Sequence, residues 1–264
     1  MRAAISHWPE YLIEAAGLGT FMLSACVFGT LLAHPESPLA GRVPHPLMMR
    51  ALMGSAMGLT GLMLVTSPWG KRSGGHFNPA MTLTFYRLGK IATVDAVAYV
   101  GAQFVGGATG VLVATAILRS ALAHPAVRYV VTAGAYGNGV AFGAELAISF
   151  GLMTAVLVVS NVPALNRFTP AVAAVLVALY ITFEAPLSGM SMNPARTLAS
   201  ALPAHFWNAI WIYLVAPPLG MLAAAECYLH AGASPSSVLC AKLHHTNDQP
   251  CIFRCAFPAE RRSQ

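Results

Sequence analysis

Six long apolar runs constrain this chain more than anything else in it. They cover about residues 11–33, 47–66, 93–118, 138–160, 167–185 and 207–230. Each is near the roughly 20 apolar residues that cross a hydrocarbon core as a helix. H-P-E-S-P follows the first run, S-P-W-G-K-R-S-G-G the second, R-S-A-L-A-H-P the third and N-V-P-A-L-N-R the fourth. Only 9% of residues are charged, and mean hydropathy is +0.63. A soluble domain carries roughly 25% charge. Nine acids and fifteen bases cannot coat a globular surface of this size, which argues against a cytosolic enzyme or a disordered protein. The net charge of +6 comes from singly scattered bases rather than a basic patch, so nucleic acid is not an expected partner. The expected partner is a lipid bilayer. The polar opening M-R-A-A-I-S-H-W-P-E and the long run behind it do not resemble a cleavable signal.

Lysine and arginine set sidedness. With the N-terminus inside, Arg2, Lys71, Arg72, Arg87, Lys90, Arg167, Lys242, Arg254, Arg261 and Arg262 fall inside. Arg42, Arg50, Arg119 and Arg128 fall outside, and Arg196 sits on a short segment. Ten against four places both termini in the cytoplasm, and without the tail the balance is still six to four.

Two further apolar segments, Asn78 to Leu88 and Asn193 to Leu202, are too short to span. At 1.5 Å per residue each reaches about half the bilayer. They are related in sequence. S-G-G-H-F-N-P-A-M-T-L at 73–83 and S-G-M-S-M-N-P-A-R-T-L at 188–198 share seven of eleven positions. Glu14 and Glu145 occupy matching places near the start of spans one and four. The chain is therefore three spans and a half-span, written twice, over about 8–118 and 138–230. An odd number of spans per copy sets the copies in opposite orientation, with broken helices meeting near the midplane. Asparagine is a favoured N-cap and proline a favoured first helical residue, so Asn78-Pro79-Ala80 and Asn193-Pro194-Ala195 each open a helix. Irregular backbone at that depth must be buried in protein or line a wet cavity, and two such segments entering from opposite faces predict a pore.

These boxes, with a glutamate in spans one and four, resemble the aquaporin (major intrinsic protein) family over about residues 8–230. The second box is similar to the plant nodulin-like branch and its bacterial relatives. The resemblance implies an all-α, right-handed bundle of six tilted helices plus two re-entrant half-helices, a pore through each subunit and a homotetramer. It also implies that Asn78 and Asn193 meet at the pore centre and donate hydrogen bonds to a passing oxygen. The half-helix N-termini, each with about half a positive charge, would repel cations and orient water so that it cannot relay protons. Arg196 stands where the first box has Met81. Arginine in a membrane is expensive and usually functional, and the resemblance places it at the outer constriction; pairing with Glu184 or reaching the headgroups is the alternative. Family spacing adds Met190, Ile181 and Met57 to that filter. Water-specific members commonly have His at the Ile181 position and often Phe at the Met57 position. A methionine-rich filter is apolar and adaptable, so its diameter does not follow from the sequence; without His it would admit small neutral polyols or metalloid acids. Thr197 departs from the Asp common in glycerol-type members, whereas Tyr213 looks water-type and Leu214 solute-type.

Glu14 and Glu145 must be paired or hydrogen-bonded if buried. The resemblance gives them a loop-supporting role, with a proton relay as the alternative. His76 lines the inner half of the pore or is a plain turn residue. G-S-A-M-G at 54–58 and G-G-A-T-G at 106–110 allow close helix approach. Residues 1–230 form the expected channel domain. A-G-A-S-P-S-S opens a tail, 231–264, that composition predicts to be disordered and cytoplasmic. Cys240, His244, His245, Cys251 and Cys255 there are ligand types, but their spacing fits no standard zinc pattern, so neither a metal nor a cofactor is expected.

The expected function is a passive channel for water and small uncharged solutes such as glycerol, with protons and ions excluded. Three alternatives stay open: a polyol or metalloid-acid facilitator with low water permeability, a secondary transporter, which also uses inverted repeats, and a structural membrane protein whose pore is secondary. No enzyme motif such as G-x-x-x-x-G-K-[ST], H-E-x-x-H or G-x-S-x-G is present. A plasma or bacterial inner membrane is the expected site.

Overall fold

The computed structural model describes residues 6–39, 42–43, 45–232, 238–244 and 249–256. Its architecture is all-helical, and six helices are long and apolar enough to cross a membrane. The spans are α1 (Trp8–Ala33), α2 (Pro46–Thr66), α4 (Thr93–Leu118), α5 (Asn138–Ser160), α6 (Thr169–Phe183, continuing a 3-10 turn so that the span runs Asn166–Phe183) and α8 (Ile210–His230). Between them lie two half-helices, α3 (Pro79–Arg87) and α7 (Pro194–Ala204).

The boundaries follow local chemistry. The first span opens ahead of its apolar run because Pro9 is accommodated in the first turn, where backbone N–H groups lack helical partners anyway. The last span starts at Ile210 rather than 207 because Ala209 adopts φ 51°, a left-handed conformation that cannot continue a right-handed helix. Each half-helix begins immediately after its box asparagine.

Within each half of the chain, the first span packs on the third: α1 on α4, and α5 on α8. Across the halves, α2 packs on α6, α3 on α8 and α7 on α4. Each half-helix therefore seats against a span of the other half. Two glycines show why the α1–α4 crossing is so close. A Cβ at Gly106 would stand 2.0 Å from the Ala15 carbonyl oxygen, and one at Gly110 would stand 2.2 Å from that of Gly19. The G-S-A-M-G stretch does the same for α2 and α6, where Gly54 and Gly58 face the Ala178 and Ala174 carbonyls.

The outer surface is apolar, with Leu59, Met63, Val97, Val105, Ile117 and Val175 all exposed. Trp8 and Trp69 stand exposed at the face where α1 begins, and Trp207 and Trp211 at the opposite face. Tryptophan collects at membrane–water interfaces in this way. The protein is an integral membrane protein by length, composition and surface.

The tail departs from the expectation of disorder. Residues 238–244 and 249–256 lie against the bundle at the face where α1 begins; the rest of the tail after 232, His245 included, is outside the described residues. Leu239 N–H donates to Asn161 Oδ1 (2.7 Å), Leu243 N–H to the Gly74 carbonyl (3.0 Å) and Arg254 N–H to the Lys90 carbonyl (3.0 Å). Val238, Ala241, Leu243 and Phe253 join the same buried cluster as Phe85, Ala224 and Ala225. The physical reason is the V-L-C-A-K-L stretch: its apolar side chains are removed from water by docking, and the linker composition ahead of it conceals that.

Candidate functional site: a pore between two docked half-helices

The site is built from two carboxylates outward. Glu14, on α1 and fully buried, accepts hydrogen bonds from Ser73 Oγ (2.8 Å), His76 N–H (3.1 Å), Phe77 N–H (2.6 Å) and Gln103 Nε2 (2.8 Å). Glu145, equally buried on α5, accepts from Ser188 Oγ (2.7 Å), Ser191 N–H (2.7 Å) and Met192 N–H (2.8 Å). Serine and two consecutive backbone donors recur in both sets. Each carboxylate thus fixes the irregular loop leading into one box. Tyrosines add a second tie: Tyr99 donates to the Ser73 carbonyl (2.7 Å) and Tyr213 to that of Ser188 (2.5 Å).

The loops need this support. Phe77, Met190 and Met192 all have positive φ (46°, 48° and 54°), a region that non-glycine residues rarely occupy and that surrounding structure must hold. This backbone brings the two boxes tip to tip. Asn78 Nδ2 donates to the Met192 carbonyl (2.7 Å), and Asn193 Nδ2 donates to the Phe77 carbonyl (2.8 Å). The same side chains cap their own helices: Asn78 Oδ1 accepts from Ala80 N–H, and Asn193 Oδ1 from Ala195 and Arg196 N–H. An amide nitrogen carries two hydrogens. One on each asparagine holds the dock, which leaves the other outside that bond.

Both asparagines line a cavity of about 540 Å³. Arg196, Met190, Ile181 and Met57 line it too, toward the face opposite the start of α1. Arg196 donates to Thr132 Oγ1, not to Glu184. Thr132 in turn contacts Thr197 Oγ1 (3.1 Å), which bonds Ser191 Oγ (2.5 Å). A hydroxyl chain therefore ties the arginine to the second box. Arg50 also lines this end, its Nε donating to the Thr182 carbonyl (2.9 Å).

At the other end the cavity reaches His76, Met81, Leu152 and the tail residue Leu243. His76 is buried and sandwiched between Phe85 (5.2 Å) and Phe253 (5.5 Å). Its Nε2 meets the Ala241 carbonyl (2.7 Å) and its Nδ1 the Thr82 hydroxyl (3.0 Å). A carbonyl only accepts, so Nε2 carries the proton of the neutral ring. His76 lies outside the six spans, and burial pushes its imidazole down to about 4.

Sequence reasoning misses Thr132, Gln103, Arg50, Leu243 and Phe253. Their signals are weak: an isolated threonine in a loop, a glutamine inside an apolar span, and apolar residues in a tail that otherwise looks polar.

Comparison with known proteins bears on the fold and the family. The chain is 34% identical over 171 residues to a probable aquaporin of the NIP type from Nicotiana alata, covering 63% of this chain and 61% of that protein. It is 35% identical over 168 residues to aquaporin NIP6-1 of Arabidopsis thaliana, covering 63% and 53%. The matched stretch thus spans between about half and three fifths of the length of these curated relatives. In fold it is similar to the aquaglyceroporin from Plasmodium falciparum, with a TM-score of 0.67 and 18% identity over 84% of this chain and 95% of that one. The Major intrinsic protein family model matches residues 3–228, and the chain belongs to that family.

Proposed function

We propose that this protein is a passive channel for water and small uncharged solutes, and that it excludes ions and protons. The observation that carries this reading is the reciprocal Asn78–Met192 and Asn193–Phe77 docking in the wall of one cavity. The docked half-helices aim two positive helix ends at the same place, and their asparagines keep one amide hydrogen each for the permeant. Arg196 adds a fixed cation at the outer constriction, oriented by Thr132. Met57, Ile181 and Met190 add only apolar side chains to the cavity wall beside it. This apolar composition favours a facilitator of small polyols or metalloid acids as the second reading. Glu14 and Glu145 act as loop supports; their several donors fit a carboxylate that stays put rather than one that relays protons. Residues 1–230 are the channel domain. The lysine and arginine balance puts both termini in the cytoplasm, in a plasma or bacterial inner membrane, and the family resemblance supports a homotetramer.

Stopped-flow light scattering on proteoliposomes tests this. Osmotic shrinkage should quicken with a low activation energy and without any ion gradient. Fast glycerol re-swelling with ordinary water shrinkage would select the facilitator. A requirement for a sodium or proton gradient would overturn the channel and point to a transporter.

A further inference from the structure

The tail carries one cluster that the pore does not use. Cys240, Cys251 and Cys255 bring three sulfur atoms within 4.8 Å of one another. Cys240 is buried beneath the bundle, while Cys251 and Cys255 lie nearer solvent. The three come from two separate stretches of tail. One stretch carries Leu243, whose N–H is held by Gly74 and whose side chain lines the inner end of the cavity. The other carries Phe253, stacked on His76. Ala256 N–H to the Leu239 carbonyl (2.7 Å) and Lys242 Nζ to the Pro250 carbonyl (2.7 Å) join the stretches. The sulfurs therefore sit at the clasp of a plug seated in the inner mouth.

We propose that Cys240, Cys251 and Cys255 form a thiolate site for a soft d10 cation of the zinc or monovalent copper class. Occupation of the site fastens the plug and slows flow. Thiolates select these ions over hard cations such as magnesium or calcium. Three sulfurs suffice for trigonal copper, and zinc takes a water as fourth donor. Each coordinating thiol gives up its proton, so one ion displaces three protons. The structure joins Cys240 and Cys255 as a disulfide, with Cys251 Sγ 2.9 Å from Cys255 Sγ. That bond is the oxidised alternative to the metal site. It excludes the ion, because a sulfur in a disulfide has no thiolate to offer. The proposal rests on the cytoplasmic placement of the tail, where thiols are kept reduced.

The test uses the full chain, purified with reductant and reconstituted in proteoliposomes. Co²⁺ and Zn²⁺ are the probes. Support would be one equivalent bound per chain, with thiolate-to-cobalt charge-transfer absorption that is lost in Cys251→Ser and in the Cys240→Ser/Cys251→Ser/Cys255→Ser variant. Protease cleavage of the tail and osmotic flux should each fall about tenfold on zinc addition, as expected when an ion prefers the seated form by that factor. Binding no tighter than in the triple variant would overturn the site, as would a Cys240–Cys255 disulfide found when membranes from cells with a reducing cytosol are extracted without reductant and with a thiol-blocking agent. An ion that binds but leaves tail cleavage and flux unchanged would overturn the clasp. Failure of the channel reading is separable: flux would be absent with and without zinc in every variant, while cobalt absorption and tail protection would still report on the site.

Discussion

At the scale of single residues, two side chains have separable work. Arg196 contributes a charge to the cavity wall, and its guanidinium is held by Thr132. Removing a charge at about 4 Å in a partly shielded site removes up to about 4 kcal/mol of repulsion. Arg196→Val should therefore raise cation or proton leak on the order of 10- to 100-fold in liposome flux assays. Unchanged leak would contradict the filter role. Glu145 works through its acceptors. Glu145→Ala leaves the Ser191 and Met192 N–H groups buried without partners, at about 1–3 kcal/mol each. Glu145→Gln keeps one carbonyl oxygen and should lose less. Thermal unfolding in detergent, read beside water flux, checks the order wild type, Gln, Ala. A proton relay predicts something different: the Gln variant would fold normally and lose only a proton-dependent flux.

At the scale of elements, helix crossings depend on residues without side chains. Gly106→Val pushes a branched side chain into the Ala15 backbone, which cannot yield as a flexible side chain would. It should destabilise the bundle by about 1–3 kcal/mol. Gly101 is on the same helix, but nothing lies within 4 Å of an added Cβ there. Gly101→Ala should be neutral or gain up to about 1 kcal/mol from helix propensity. Opposite signs at two glycines five residues apart, measured by thermal or SDS-induced unfolding, would show that packing rather than glycine content sets the crossing. This contrast also marks how far the sequence carries. The six spans were legible to within a few residues because apolar length and flanking breaks leave a helix little choice. The two half-helices were legible because an N-cap and a first-turn proline are local signals. Which span each half-helix seats against was not, since α3 on α8 and α7 on α4 are contacts between distant residues with no local signature. Thr132 was invisible for the same reason, as its partner lies 64 positions away. The docked tail was hidden by its own composition: V-L-C-A-K-L is too short to stand out, and its apolar groups have meaning only against Phe85 and Ala224.

At the scale of the whole molecule, the tail turns the end of the cavity nearest the start of α1 into a surface shared by three parts of the chain. His76 is the joint, with Phe85 from α3 on one side and Phe253 from the tail on the other. Glu14 on α1 accepts from its backbone N–H, and Tyr99 on α4 meets the ring edge. Burial lowers its pKa to about 4 from an ordinary 6.5. A base with a depressed pKa binds fewer protons when seated than when released, so the seated tail is favoured as pH rises. The contribution is complete above about pH 6.5 and is lost as pH falls toward 4, with a ceiling on the order of 3 kcal/mol. Hydrogen exchange gives the measurement at defined amides, because the Leu243 and Arg254 N–H groups bond the Gly74 and Lys90 carbonyls of the bundle only while the tail is seated. Their protection, corrected for the intrinsic pH dependence of exchange, should be full at neutral pH and fade through the interval between the two pKa values. Amides in the first turns of α5, which begins at Asn138 on the face opposite the tail, serve as the internal reference. His76→Gln keeps a donor for the Ala241 carbonyl but does not titrate, so its tail protection should lose the pH slope. A slope that survives in His76→Gln would move the cause to another group, and a flat wild-type profile would mean that the imidazole is not what couples tail to pore.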